Sequence, residues 1–167
     1  MPATRSRCCR LSAAVEMIAL SHEPIDPAAL LRDFSRGLDD AGAIASFVGL
    51  VRKDGDEAVE ALVLDHRRGF TEAAIAGAAA DAAGRWPLRK IMIVHRVGRV
   101  AVGDAVVFVA TAAAHRRAAF EACDFLMDFL KTDAPFWKKQ IGRSGERWIE
   151  PSAGDYSDRA RWNMKDS

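Results

Sequence analysis

Pro135 restricts the folding of this chain more than any other residue. Inside a helix, proline lacks the backbone donor and collides with the preceding turn, and it disfavours helical geometry at the residue before it. The apolar-striped run that reaches Lys131 therefore has to end there, and Phe136-Trp137-Lys138-Lys139 must leave in a new direction. The expectation is a helix end followed by a basic loop, with two aromatics as its anchor. From Lys131 to Arg147, five Lys or Arg stand against Asp133 and Glu146, a local balance of +3, while the 167-residue chain carries only +1. Anchored lysines beside aromatics suit an anion that must be held and reacted upon. A lysine complementing the helix dipole, followed by a solvated loop, accounts for the same residues and on local chemistry stands slightly ahead.

Size and composition narrow the classes. A chain of 167 residues with half its residues hydrophobic and 28 % charged reads as one globular domain able to bury its own core. Near-neutral charge argues against bulk nucleic-acid binding. Cys8, Cys9 and Cys123 fit neither a disulfide framework nor a zinc site, which points to a reducing, cytoplasmic compartment. No run approaches about 18 uninterrupted apolar residues, so no membrane span is expected. Arg5, Arg7 and Arg10 before Leu11–Val15 faintly resemble a signal peptide, but Glu16 interrupts the run. Residues 1–16 are read as a disordered or mis-assigned leader with Met17 as an alternative start, 17–151 as a single domain, and 152–167 as a loosely ordered tail to which Trp162 adds a docking point.

Taken in order, Val15–Leu20 predicts an edge strand, and Asp26-Pro27 opens a helix with Leu30, Leu31 and Phe34 inward and Gly37 at its end. Ala43–Val51 reads as a buried strand, with Gly49 marking a bulge or a close backbone approach. Asp54-Gly55-Asp56 predicts a hairpin into a strand over Ala58–Asp65. Thr71 is expected to cap a helix that shows Ile75, Ala79, Ala82 and Trp86 to the core and stops at Pro87. Lys90–Val97 and Asp104–Ala112 are two more strands, joined through Val102-Gly103-Asp104. A helix over about Arg116–Lys131 carries Ala119, Phe120, Cys123, Met127 and Leu130 on one stripe, and Arg147–Glu150 is a last strand. The order β-α-β-β-α-β-β-α-β, with hairpins, is α+β with a mostly antiparallel sheet and two to three helices.

Several chemistries find no support: no phosphate-cradling glycine loop, no nucleophile elbow, and no pair among His22, His66, His95 and His115 spaced as helical metal ligands. What remains is cations at element ends: Arg52, His115, Arg116, Lys131, Lys138 and Lys139. His115-Arg116 begins a helix, where backbone N–H groups face outward and an arginine adds a bidentate fork for an anion. Arg52 read alone is a solvated loop residue, and His95 a satisfied core histidine. Arg116 and Lys131 lie fifteen positions apart, about 22 Å on a straight helix, too far for one small-molecule pocket in one subunit. Either they serve different sites, or a second subunit brings its His115-Arg116 over Lys131 in a homodimer with composite sites; the second arrangement is the one adopted as hypothesis.

Phe47-Val-Gly-Leu-Val-Arg52, Trp86-Pro-Leu, Val94-His-Arg-Val-Gly98, Gly103-Asp104, Ala114-His-Arg116, Phe120-Glu-Ala122, Met127-Asp-Phe-Leu-Lys-Thr132 and Ala134-Pro-Phe-Trp-Lys138 together resemble the catalytic (large) subunit of molybdopterin synthase. The resemblance runs from about Gly42 to Glu150. It implies an α/β-hammerhead type fold and a homodimer within a heterotetramer, flanked by two copies of a small ubiquitin-like sulfur carrier. The carrier's Gly-Gly tail would enter as a thiocarboxylate and transfer sulfur to cyclic pyranopterin monophosphate, forming the dithiolene of molybdopterin without a metal or organic cofactor. Carried over by position, Lys131 and Lys138 are the catalytic lysines. Leu50, Val51, Arg52, His115, Arg116, Lys139 and Gln140 match substrate-binding positions. A gap beside Gly49 and the Asp54-Gly55 loop is expected to admit the tail. Two departures stand out: Leu50 where lysine is common, and Gln140 where glutamate is common. The competing expectation is a module of the same fold that only holds a carrier tail, and the joint presence of Arg52, His115, Arg116, Lys131 and Lys138 speaks against it.

Overall fold

The computed structural model describes residues 15–53, 59–143 and 145–163. Its elements are β1 (Val15–Ser21), α1 (Pro27–Phe34), β2 (Ala43–Leu50), β3 (Val59–His66), α2 (Phe70–Arg85), β4 (Leu88–Arg96), β5 (Gly98–Ala101), β6 (Ala105–Ala113), α3 (Arg116–Thr132), β7 (Phe136–Gly142), β8 (Gly145–Ile149) and α4 (Ala153–Ala160). The class is α+β, as expected, with four helices where two to three were predicted.

Two four-stranded sheets share the work. The first has the order β1-β4-β6-β2 and the second β5-β3-β7-β8. Period-two alternation loads both faces of the first sheet. Ile91, Ile93, Val107 and Val109 point toward α2 and α3, while Met92, Val94, Phe108 and Ala110 point toward α1 and its buried Phe34. Asp26 caps α1 by accepting from the N–H groups of Ala28 and Ala29 at 3.0 and 3.1 Å, with Pro27 at the first helical position. β1 is an edge strand as predicted, but it pairs parallel to β4, an exception to the otherwise antiparallel ladders.

Four expectations need correction. β2 and β3 do not form a hairpin: β2 pairs with β6 in one sheet and β3 with β5 and β7 in the other. The Asp54-Gly55-Asp56 turn itself lies outside the described residues, as do residues 1–14 of the expected leader and residues 164–167 of the tail. α2 starts at Phe70 with Gly69 as its cap, in a left-handed conformation (φ 78°) that suits glycine. Thr71 is instead fully buried; its hydroxyl accepts from the Arg67 N–H and donates to the Pro135 carbonyl at 3.1 Å, tying the start of α2 to the start of β7. Phe120 is exposed, because it lies outside the arc formed by buried Ala119, Ala122, Cys123, Leu126 and Leu130.

The fourth correction concerns the two segments after α3. Phe136–Gly142 is no loop but a strand paired on both sides, with β3 and β8. The tail from Ser152 is ordered through 163: Ser152 and Asp155 form a capping box for α4, and Trp162 is 2 % exposed. Its ring packs against Trp86 and Phe125, with centroids 5.6 and 5.7 Å away, and its Nε1–H donates to Asp128 at 2.6 Å. Arg159 meets Asp133 at 2.6 Å, and Arg161 meets Asp124 and Asp128 at 2.7 and 3.0 Å. A polar helix without one buried residue of its own is thus pinned to α3 by ion pairs and a single aromatic anchor. Trp162→Ala removes that anchor and leaves a cavity, so urea unfolding should show a loss of about 3 kcal/mol.

Candidate functional site

The site lies where the two sheets meet the end of α3. A cavity of about 610 Å³ is walled by the end of β2, by Leu62 and Leu64 of β3, by His95 of β4, by Met127, Leu130 and Lys131 of α3, by Lys138 and Gln140 of β7, and by Ile149 of β8. Backbone geometry explains why these residues converge. At Gly49 the β2–β6 register shifts, and a Cβ there would sit 2.7 Å from the Val107 side chain, so only glycine allows the two strands this approach. The predicted bulge and close approach are both present. The Val51 N–H then donates to Asp104 O at 3.0 Å and its carbonyl accepts from the Gly103 N–H at 2.8 Å, which fixes Leu50, Val51 and Arg52 along the cavity.

Strand alternation sorts the basic segment. Lys138 and Gln140 face the cavity; Lys139 faces away, 3.1 Å from Glu146 and 4.6 Å above the Trp148 ring. Lys139 is therefore a surface ion pair and not part of this wall. Gln140 is 6 % exposed and its amide oxygen accepts from Arg147 at 3.4 Å. His115 and Arg116 do not join the cavity either. They open α3 and line a shallower depression of about 490 Å³ with Arg117, Phe120 and Glu121. The sequence-derived site is thus divided into Leu50, Val51, Arg52, Lys131, Lys138 and Gln140 at one end of α3, and His115-Arg116 at the other.

The electrostatics are set by burial. Lys138 is partly buried, and that burial, reinforced by the charge of Lys131, lowers its ammonium from 10.5 to about 8, against a smaller upward pull from Asp155. Lys131 is more exposed and its Nζ lies 3.9 Å from Asp155. His95 was expected as a satisfied core histidine, and it is 4 % exposed with Nδ1 2.7 Å from the Arg96 carbonyl and its ring stacked 4.3 Å from Phe136. Burial takes it down to about 4, opposed by that hydrogen bond and aided by Lys138. The ring is neutral near pH 7. Because a carbonyl only accepts, Nδ1 carries the proton, and Nε2 keeps a lone pair. Sequence reasoning missed that this histidine also lines the cavity beside Lys138. Its odd-numbered place on β4, in phase with Ile91 and Ile93, was the available signal. It missed Asp155 as well, which the Ser-x-x-Asp spacing marks only as a helix cap. Cys123 takes no part: it is buried on α3, and burial pushes its thiol up to about 12.

The family model described as MoaE protein matches residues 20–133, which include β2, β4, α3 and Lys131. The chain belongs to the MoaE family. Among MoaE relatives, the molybdopterin synthase catalytic subunit of Caulobacter vibrioides is 51 % identical over 149 residues, covering 89 % of this chain and 99 % of that one. That of Escherichia coli is 44 % identical over 125 residues, covering 74 % and 83 %. The solved molybdopterin biosynthesis MoaE protein of Burkholderia ambifaria superposes with a TM-score of 0.75 at 41 % identity, over 92 % of this chain and all of that one. The resemblance to the catalytic (large) subunit of molybdopterin synthase read from the sequence is borne out.

The depressed Lys138 makes a stability prediction whose sign follows from linkage. Between pH 8 and 10.5 the unfolded chain binds this proton and the folded chain does not, so stability from this group rises with pH across that window, and the charged form is penalised below it. Lys138→Met should therefore be more stable than the parent at pH 7, by about 1–2 kcal/mol after solvent screening, with the advantage fading as the pH approaches 10.5. Urea unfolding at a series of pH values measures it.

Proposed function

We propose that this chain is the catalytic subunit of a molybdopterin synthase, transferring sulfur from the thiocarboxylated C-terminus of a small ubiquitin-like carrier to cyclic pyranopterin monophosphate. The observation that carries the reading is the placement of Lys131 and Lys138 in one cavity with Arg52 at its edge, within a chain of this family. Both reactants are anionic. Cations on a wall otherwise lined by Met127, Leu130 and Ile149 hold them while limiting the water that would hydrolyse a thiocarboxylate. With a pKa near 8, about a tenth of Lys138 is neutral at pH 7, so the same amine can accept a proton in one step and donate it in another. Lys131 keeps a charge available to neutralise negative charge as it develops. The open side of the cavity, at Phe47, Val48 and Leu50, is apolar and exposed, which suits an extended peptide tail.

His115 and Arg116 enter this reading through a second copy. Their separation from Lys131 along α3 supports a homodimer in which one subunit's His115-Arg116 completes the other's cavity and holds the cyclic phosphate. Leu50 weakens the positive rim relative to a lysine, and Gln140 removes a negative charge, so the two departures offset one another. The carriers flank the dimer in a heterotetramer, and the sparse cysteines suit the cytoplasm.

Two measurements bear on this. With thiocarboxylated carrier and cyclic pyranopterin monophosphate, the parent should form the dithiolene product and Lys131→Ala should lose about 100-fold or more, whereas equal activity would move the chemistry elsewhere. Lys131→Ala and Arg116→Ala subunits, each nearly inactive alone, should regain about a quarter of the parent rate after mixing and re-equilibration, because half the dimers are mixed and each then has one intact composite site. No recovery would place both residues at the same subunit's site.

A further inference from the structure

We propose that Asp155, in the first turn of α4, is a positioning residue for the lysine pair, its carboxylate divided between the helix cap and the Lys131 ammonium, with its charge also acting on Lys138 from further away. This rests on the proposed sulfur-transfer role of those lysines and adds the acidic group that the cavity wall does not have at Gln140.

The two oxygens of Asp155 have separate duties. Oδ2 accepts from the Ser152 N–H and from the Ser152 hydroxyl, each at 2.8 Å, while the Ser152 oxygen accepts from the Asp155 N–H at 3.2 Å. Oδ1 is left facing Lys131 Nζ at 3.9 Å. The carboxylate cannot swing freely, because the cap holds it at one end of α4 while Arg159, Arg161 and Trp162 lock the helix and its exit to Asp124 and Asp128 of α3 and to Asp133 at its C-cap. The position of the Asp155 carboxylate is thus set by contacts that lie outside the cavity.

The surroundings of Lys138 show why one acid matters. α3 presents Lys131, β4 presents neutral His95, Arg52 stands two residues after β2, and among the described residues β3 and β8 present only Val59, Leu62, Leu64 and Ile149. Among the described residues, Asp155 is the acid that acts on Lys138 against the charge of Lys131. The carboxylate responds in turn: burial works to raise its pKa but is outweighed by the Ser152 hydrogen bonds and by the two lysine charges, and the net shift is downward. An ionised Asp155 keeps Lys138 from losing its proton too readily beside Lys131, and it holds the Lys131 chain toward the cavity.

The direct test reads the lysine itself. Reductive ¹³C-methylation of the full chain gives dimethylamine NMR signals; that of Lys138 is identified by its absence in Lys138→Arg. The parent signal should titrate near pH 8. Asp155→Asn, which keeps the cap acceptors, should move the midpoint down by about half a unit or more, and Asp155→Glu should restore most of it. Ser152→Ala removes the hydroxyl partner but keeps the charge and the backbone N–H of residue 152, from which Oδ2 also accepts, so it should move the midpoint far less than Asp155→Asn does. An unchanged midpoint in Asp155→Asn, or an equal shift in Ser152→Ala, overturns the proposal. The pH profile of kcat for sulfur transfer should move with the NMR midpoint. If the chain transfers no sulfur, the NMR result still decides the role of Asp155, and only the reading of the lysines falls.

Discussion

Bringing a lysine ammonium out of water beside a second ammonium is unfavourable twice over, through lost hydration and through repulsion. The architecture around Lys138 is what makes that placement hold. β7 is paired on both sides, so the backbone of Lys138 has no freedom to carry its side chain outward. Pro135 ends α3 within a few residues, and the bond from Thr71 to the Pro135 carbonyl sets the angle at which β7 begins. Lys131 and Lys138, seven residues apart in sequence, are thereby turned into the same cavity from two different elements. The consequence is an amine that titrates near 8 and not above 10.

Much of this was legible in the chain. Asp26-Pro27 is a helix start with a mechanism, Gly49 announced a bulge that the β2–β6 ladder contains, and Pro135 marked the end of α3. Other features were not local. β7 reads as a loop because Lys138-Lys139-Gln140 hides its alternation; its strand character comes from β3 and β8, which lie far away or follow later in the sequence. Likewise, the glycine and aspartates between β2 and β3 fit a hairpin signal, but the partner of β2 is β6, whose apolar run offers a better-buried neighbour. The tail reads as loose apart from Trp162 because the rest of its attachment through residue 163 is made of ion pairs, which no hydrophobic stripe reveals.

The site divides similarly. Lys131 and Arg52 stand near element ends as read, whereas Lys138 lies inside β7, and the period of that strand turns it toward the cavity and Lys139 away. His95 shows how a correct burial assignment still hides a role, since a satisfied histidine in the core also forms part of a cavity wall. The distance between His115-Arg116 and Lys131 was the most useful inference from simple helix geometry. It separates the cations into two groups within one subunit, and the two depressions at opposite ends of α3 have that separation.

The central claim is that Lys131 and Lys138 act as one electrostatically coupled pair in a shared cavity. The most direct measurement is the pH dependence of the single-turnover sulfur-transfer rate in the parent and in Lys131→Met. The account predicts a limb with its midpoint near pH 8 in the parent, moving to higher pH when the neighbouring charge is removed. A midpoint that stays in place in the variant, or a rate with no titration between pH 7 and 9, would contradict it.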